Sequence, residues 1–347
     1  MASILYLGTD EGVVTLKSDD GHSWKVEHHA LKGWQVPEVA VSAAEPNRVF
    51  AGTRGDGVWL SEDFGATWKK PCYGKPGPGK VRCLTIDPHH ADTLYAGTEP
   101  IDVFISRDGA KSWERLDAVW SIPWVATVTY PVATVEPHVR DIVIDPKDPK
   151  TMYVALQVGY ILKTIDAGNS WELLNNNLDC DVHTIVVHPQ DHHKIYIATG
   201  GHDCRAGKAP GRALYSSHDG GMSWSPMAAD FKEEYSVPLA LHPKKPDVLY
   251  SAVANGQPGQ WRKRPTGAEA FLIQSIDGGK SWKKLQGEVS EANKSFVESL
   301  TFDPENSERM YAAQRSGDLF GSQDSGDTWF KLNVTVPELS DMKAVHA

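Results

Sequence analysis

Midway along the chain two thiols and two imidazoles fall within a short span, as Cys180-Asp-Val-His183 and His202-Asp-Cys204. Two sulfur and two ring-nitrogen ligands are a set that zinc or another transition metal can take. The spacing matches no short metal-binding pattern, so a Cys180–Cys204 disulfide or plain packing is the simpler reading. A second group mixes acids and bases: Glu38, Arg82, Arg140 beside Asp141, His183 and Glu298, with Arg54 and Arg315 in neighbouring loops. Were they to converge, Glu38, Arg140, Asp141, His183 and Glu298 would form a catalytic set for acid–base work on a glycoside, and the arginines would clamp a carboxylate. A solvated pore mouth is the plainer reading. The third group is aromatic and basic: Trp34, Trp120, Trp124 and Trp261, with Arg262 in the stretch Gln260-Trp-Arg-Lys-Arg264. Indoles suit stacking on sugar rings, with packing of the loops as the alternative.

What must position these residues is a repeat. The clearest copies are Ser61-x-Asp63-x-Gly65-x-Thr67-Trp68, Thr164-x-Asp166-x-Gly168-x-Ser170-Trp171 and Ser217-x-Asp219-x-Gly221-x-Ser223-Trp224, followed by the copies around Asp277 and Asp324. Two are degenerate. The first is read on Asp19 with Lys17 in the Ser position, and the third, on Asp108, has Ala110 at the usual glycine. Their tryptophans stand at 24, 68, 113, 171, 224, 282 and 329, giving gaps of 44, 45, 58, 53, 58 and 47. A period of this size marks a repeat architecture whose units bury their faces against neighbours. Each copy reads as a tight turn in which Asp accepts turn N–H groups and Gly supplies positive φ. Turn chemistry explains every position, so the seven aspartates are expected to be structural.

From Val81 to Leu116 the residues alternate between β-rich runs and turn signals four times, with the motif as the last hairpin turn. Four short antiparallel strands per repeat describe the blade of a β-propeller. The innermost strand recurs at Val36–Pro46, Val139–Pro146, Val182–Pro189, Val237–Pro243 and Val297–Pro304, and it is missing before Ile4. The tail Asp341-Met-Lys-Ala-Val-His346 supplies it. The expectation is an all-β, seven-bladed propeller in one domain, closed by a C-terminal strand that completes the first blade. The blades run over 1–30 plus 339–347, 36–71, 81–117, 139–175, 182–227, 236–286 and 296–333.

The boxes resemble the Asp-box (BNR) repeats of sialidases, xyloglucan-degrading propellers, the sortilin ectodomain and photosystem-assembly propellers, over essentially the whole chain. The resemblance implies peripheral boxes away from any active site. It does not fix a function, because the repeat serves proteins of unrelated activity. A classical sialidase is disfavoured: no Arg-Ile-Pro string occurs, Ser121-Ile-Pro123 being the nearest. Xyloglucan-degrading relatives use a cleft between two propellers, and one is present here.

The long gaps come from insertions at 117–138, 200–212 and 254–270, all on the face opposite the boxes, which marks that face for binding. The apolar 117–138 insertion suits a lid or a homo-oligomer contact. A net charge of −10 argues against nucleic acid, and no apolar run is long enough to span a membrane. The opening residues lack a signal-peptide pattern, so a cytoplasmic location is expected. Four cysteines are too few for a disulfide scaffold. Two functions stand: a propeller binding a small polar or saccharide-like ligand, or a protein partner, on the loop-rich face, and a glycoside hydrolase or lyase-type enzyme, metal-assisted or not.

Overall fold

A computed structural model describes residues 2–132, 134–227, 230–290 and 294–347. Seven antiparallel sheets are arranged as blades in a ring, six of them four-stranded. The second blade has three strands, Glu38–Ser42, Glu45–Thr53 and Gly57–Ser61, and its fourth is reduced to the bridge between Leu60 and Lys69. Closure is as expected. Leu339–His346 pairs antiparallel with Ser3–Thr9, Ser3 opposite His346 and Thr9 opposite Leu339, as the innermost strand of the first blade. Among the described residues no helix is long and apolar enough to cross a membrane.

Each second strand carries a large aromatic at the same register: Tyr6, Phe50, Tyr95, Tyr153, Tyr196, Tyr250 and Tyr311, all buried. β-branched and aromatic residues favour these strands, which are buried on both faces, and the rings reach sideways to the next blade. The Tyr153 and Tyr250 hydroxyls donate to Gly220 and Ser325 carbonyls in the following boxes. The apolar core is accordingly divided. Seven clusters lie in seven wedges, each between two adjacent blades, and the axis is left polar.

Every box is a closed hydrogen-bonded turn. In the second blade Ser61 Oγ donates to Asp63 Oδ1 at 2.8 Å and accepts from Gly65 N at 2.8 Å. Asp63 also accepts from Thr67 N at 2.8 Å and Thr67 Oγ1 at 2.6 Å, and Trp68 Nε1 donates to the Gly65 carbonyl. The Thr67 hydroxyl and N–H hold the Asp63 carboxyl down at about 2. The turn needs two successive residues with positive φ, Phe64 at 60° and Gly65 at 86°, which is why glycine recurs there. In the third box Gly109 takes 71° and Ala110 takes 68°, so the glycine has moved one place and the turn survives.

The first box corrects the sequence reading. Asp20, not Asp19, is its carboxylate: it accepts from Ser18 Oγ and from the N–H groups of His22 and Ser23. Ser18 rather than Lys17 fills the serine position, and Gly21 N donates to it. This turn is one residue shorter than the others, which shifts the register by one.

Candidate functional site

Four inner strands share an irregularity at their upper end. The pairing register skips one residue between Val81 and Cys83, Val139 and Asp141, Val182 and Thr184, and Val297 and Ser299. The skipped residues are Arg82, Arg140, His183 and Glu298. A bulge leaves its extra residue unpaired and re-aims its side chain, and here all four line the axial cavity. Below them Cys83 and Asp141 return to the ladder. Each motif is thus an anchoring valine, a bulged polar residue, then regular strand.

The cavity has a volume of about 480 Å³ and also takes in Glu38, Asp141, Asp341 and Lys343. All five residues of the expected catalytic set therefore face one space. At the mouth, Glu99 is buried and receives two guanidinium groups, Arg54 Nη2 at 2.8 Å and Arg82 Nη1 at 3.0 Å. Arg315 Nη2 lies 2.6 Å from Glu298. Arg140 has no such partner. Among the described residues it makes no hydrogen bond or ion pair, and its Nε is buried without an acceptor. The crowding of positive charge is felt nearby. Burial, Arg140 and Arg54 pull Arg82 down to about 10. Burial together with Arg82, Arg140 and Arg54 pulls His138 down to about 3, so that imidazole is neutral. Tyr130, from the 117–138 insertion, sits 5.6 Å from the His138 ring within the field of Arg140, Arg82 and Arg315.

Deeper in, the sign reverses. Lys343 Nζ lies 2.8 Å from Asp341 and 3.5 Å from Glu38. Burial, reinforced by Asp341 and Asp141, lifts Glu38 to about 7, and burial lifts Asp141 to about 6. Both carboxylates also have structural duties. Glu38 accepts from Leu84 N of the next blade at 3.0 Å, and Asp141 accepts from Ile185 N at 2.8 Å. Asp341 does the same for Val39 N, while Thr85, Thr184 and Ser299 donate to carbonyls of Ile142, Val237 and Met342. Six blade junctions are thereby latched around the axis by one side chain to one backbone group.

The expected aromatic platform is dispersed. Trp261 is buried, stacked on Phe296 at 5.2 Å and edge-on to Tyr235, because the 254–270 insertion folds back over the sixth and seventh blades. Arg262 beside it is exposed. Trp120 and Trp124 remain partly exposed, but their N–H groups are held by Asp102 and the Gly159 carbonyl on the tops of the third and fourth blades. The same insertion buries Val119, Val125 and Val128 in the wedge between those blades. Trp34 is half-buried beside Gly55.

The Cys/His quartet does not form as one set. Cys180 and His202 come together with Asp203, while His183 turns to Asp181 at 3.4 Å, Gln157 at 3.3 Å and the Ser236 carbonyl at 2.7 Å. Cys204 falls outside the group, and Cys180 and Cys204 are both free, so the alternative disulfide is absent as well. The sequence reading missed Glu99, Tyr130, Asp203, Asp341 and Lys343. For the last two a signal existed: once the tail is read as an innermost strand, period-two alternation turns 341 and 343 to the axis.

These features give the chain a polar, loop-rimmed cavity suited to binding an anion and, through Glu38 and Asp141, to proton exchange. In an alignment 331 positions long that covers 82% of this chain, it is 22% identical to an oligoxyloglucan reducing-end-specific xyloglucanase of Emericella nidulans, spanning 39% of that protein. The fold is similar to that of a GH74 xyloglucanase from Xanthomonas campestris, with a TM-score of 0.70 at 18% identity, covering 94% of this chain and 52% of that one. It is also similar to YCF48 in its complex with D1 peptide, with a TM-score of 0.54 at 16% identity over 85% of this chain and 81% of that one. The chain thus spans about two fifths of the curated enzyme and half of the solved one, and these likenesses establish the shared propeller. The family model described as sortilin, neurotensin receptor 3, matches residues 102–233 and 159–291, together more than half of the sequence, and the chain belongs to the Sortilin-Vps10 family.

Proposed function

We propose that this propeller binds a small polar or saccharide-like ligand, or the matching end of a protein partner, through an anionic group received at the arginine-lined mouth. The observation that carries the reading is Arg140, whose guanidinium has no carboxylate partner among the described residues and whose buried Nε lacks an acceptor, while Arg82 and Arg315 are each paired with a glutamate. A buried guanidinium nitrogen without a partner costs about 1–3 kcal/mol or more, and a bidentate carboxylate would remove that cost. Support of a general kind comes from relatives named as xyloglucanases and from a neighbour described with a bound peptide. Titration calorimetry with uronic-acid oligosaccharides, neutral xyloglucan oligosaccharides and carboxylate-terminated peptides tests it. Carboxylate-bearing ligands should bind and lose at least about tenfold in Arg140→Met. Equal binding of neutral and anionic sugars, unaffected by that substitution, would overturn it.

A hydrolase is the second reading, favoured by one observation. Glu38 at about 7 and Asp141 at about 6 share the cavity, which is what a proton donor and its partner require near neutrality. Its test is release of new reducing ends from xyloglucan oligosaccharides, abolished in Glu38→Gln. Against it stands the latch role of both carboxylates.

A further inference from the structure

On the outer side of the mouth, in the fifth blade, the short helix His202–Arg205 of the 200–212 insertion lies against the start of the inner strand. The thiol of Cys180, one ring nitrogen of His202 and one oxygen of Asp203 lie within 4.8 Å of one another. We propose that Cys180, His202 and Asp203 form a zinc site with an open fourth position, separate from the arginine mouth.

Several features point the same way. The helix is fixed for the task by Asp179, which is fully buried. Its Oδ1 accepts from His202 N at 3.1 Å and its Oδ2 from Cys204 N at 2.8 Å, while Oδ1 also takes Asp181 N. Asp203 is oriented through Oδ2, which accepts from Tyr160 Oη at 3.1 Å and Cys180 N at 3.3 Å; Oδ1 takes part in neither bond. The His202 imidazole has no hydrogen-bond partner among the described residues. Three aspartates, 179, 181 and 203, are buried around one thiol, and of these only Asp181 has an imidazole partner, His183. Carboxylates gathered at this density call for a cation.

The donor set chooses the ion. One sulfur, one imidazole nitrogen and one carboxylate oxygen suit a borderline divalent metal; calcium and magnesium require oxygen throughout. Around tetrahedral zinc, ligand atoms sit roughly 3.5 Å apart, given bonds of about 2.0–2.3 Å. The three atoms would therefore draw together by about 1 Å, within reach of side-chain rotation. Three protein ligands leave one position free, and His202 is half-exposed, so that position opens to solvent. The Asp box neighbours offer nothing comparable, since each of their carboxylates is consumed by its own turn.

The full chain, stripped with chelator and titrated with Co²⁺ and then Zn²⁺, decides the matter. One equivalent of Co²⁺ should bind with tetrahedral visible bands and a near-ultraviolet thiolate charge-transfer band, and Zn²⁺ should displace it. Cys180→Ser should erase the charge-transfer band. His202→Ala and Asp203→Asn should each weaken Zn²⁺ more than about 100-fold, beyond the 10–100-fold expected for an outer-shell group. Cys204→Ser and the distant Cys72→Ser should leave both spectrum and affinity intact. Where a variant does not fold, the Co²⁺ thiolate charge-transfer band of the unaltered chain, retained in Cys204→Ser and Cys72→Ser, gives the same answer. No stoichiometric binding, a spectrum without thiolate bands, or loss of binding in Cys204→Ser would overturn the assignment.

Discussion

The two ends of the propeller are built on opposite principles. At the box end the same turn recurs in six blades and a version one residue shorter in the first, and every box carboxylate is satisfied by a hydroxyl and N–H groups of its own turn. At the mouth no two blades present the same residue set, and charges are paired across blades at Arg54, within a blade at Arg82 and Arg315 and, at Arg140, not at all. The difference teaches where stability and recognition reside. Repetition with full satisfaction holds the ring together; irregularity with unmet hydrogen-bonding capacity is what a partner can complete.

Removing residues 340–347 strikes both ends at once and has the largest expected effect. It strips an inner strand, leaves one edge of Ser3–Thr9 bare and takes Met342 and Val345 out of two wedges. Two such buried side chains alone contribute roughly 3–6 kcal/mol, a large part of an ordinary domain's stability. Loss of cooperative melting is expected by calorimetry, and unchanged melting would break the account of closure. Next is Arg140→Met, which should abolish or weaken anion binding at least about tenfold while leaving the melting temperature equal or raised. A fall in stability without a change in binding would reverse the assignment of roles. Asp324→Ala should do the converse: it removes the acceptor for Thr328 N, Thr328 Oγ1 and Ser322 Oγ. A drop of about 2–4 °C with intact binding is expected for the loss of roughly 1 kcal/mol.

The smallest effect concerns pH. Where the inner strand ends, Asp145 and Asp303 cap the turn by accepting two N–H groups each, and His188 and His242 do so through Nδ1 in the fifth and sixth blades. An imidazole accepts only when neutral. Burial lowers both, with Lys194 and Lys147 adding at His188 against Asp247 and Asp191, and Lys245 and Lys244 adding at His242 against Glu308. A depressed folded value means the contribution is complete above the unfolded value of about 6.5 and is lost as pH falls through the folded one. His138 adds to this trend. The His188→Asp, His242→Asp double variant should therefore show a flatter melting temperature between pH 7 and 5 than the unaltered chain. Parallel profiles would remove the capping histidines from the explanation.

The ring was legible because its signals are local. A box needs serine, aspartate, glycine and tryptophan within eight residues, and seven such spacings count the blades. The first box misled on Asp19 because a turn one residue shorter keeps the tryptophan while shifting the carboxylate to Asp20. The four bulged cavity residues were legible by position, since each follows the anchoring valine of an inner strand. Their partners were not. Glu99 reaches Arg54 from another blade, Lys343 meets Glu38 from the far end of the chain, and Trp261 is covered by an aromatic cluster that its own insertion closes. Such pairings depend on loop paths, which periodicity does not encode.

The division of the core into wedges between blades has a consequence for change. A globule with one central core must repack when its middle is altered, because every layer leans on it. Here the geometric centre is a charged, polar cavity, and the load is carried around the circumference like tension in a hoop. Bulged residues at the axis can be exchanged without disturbing the wedges. Apart from the six latches beside them, those bulged positions are the most rewritable part of the molecule.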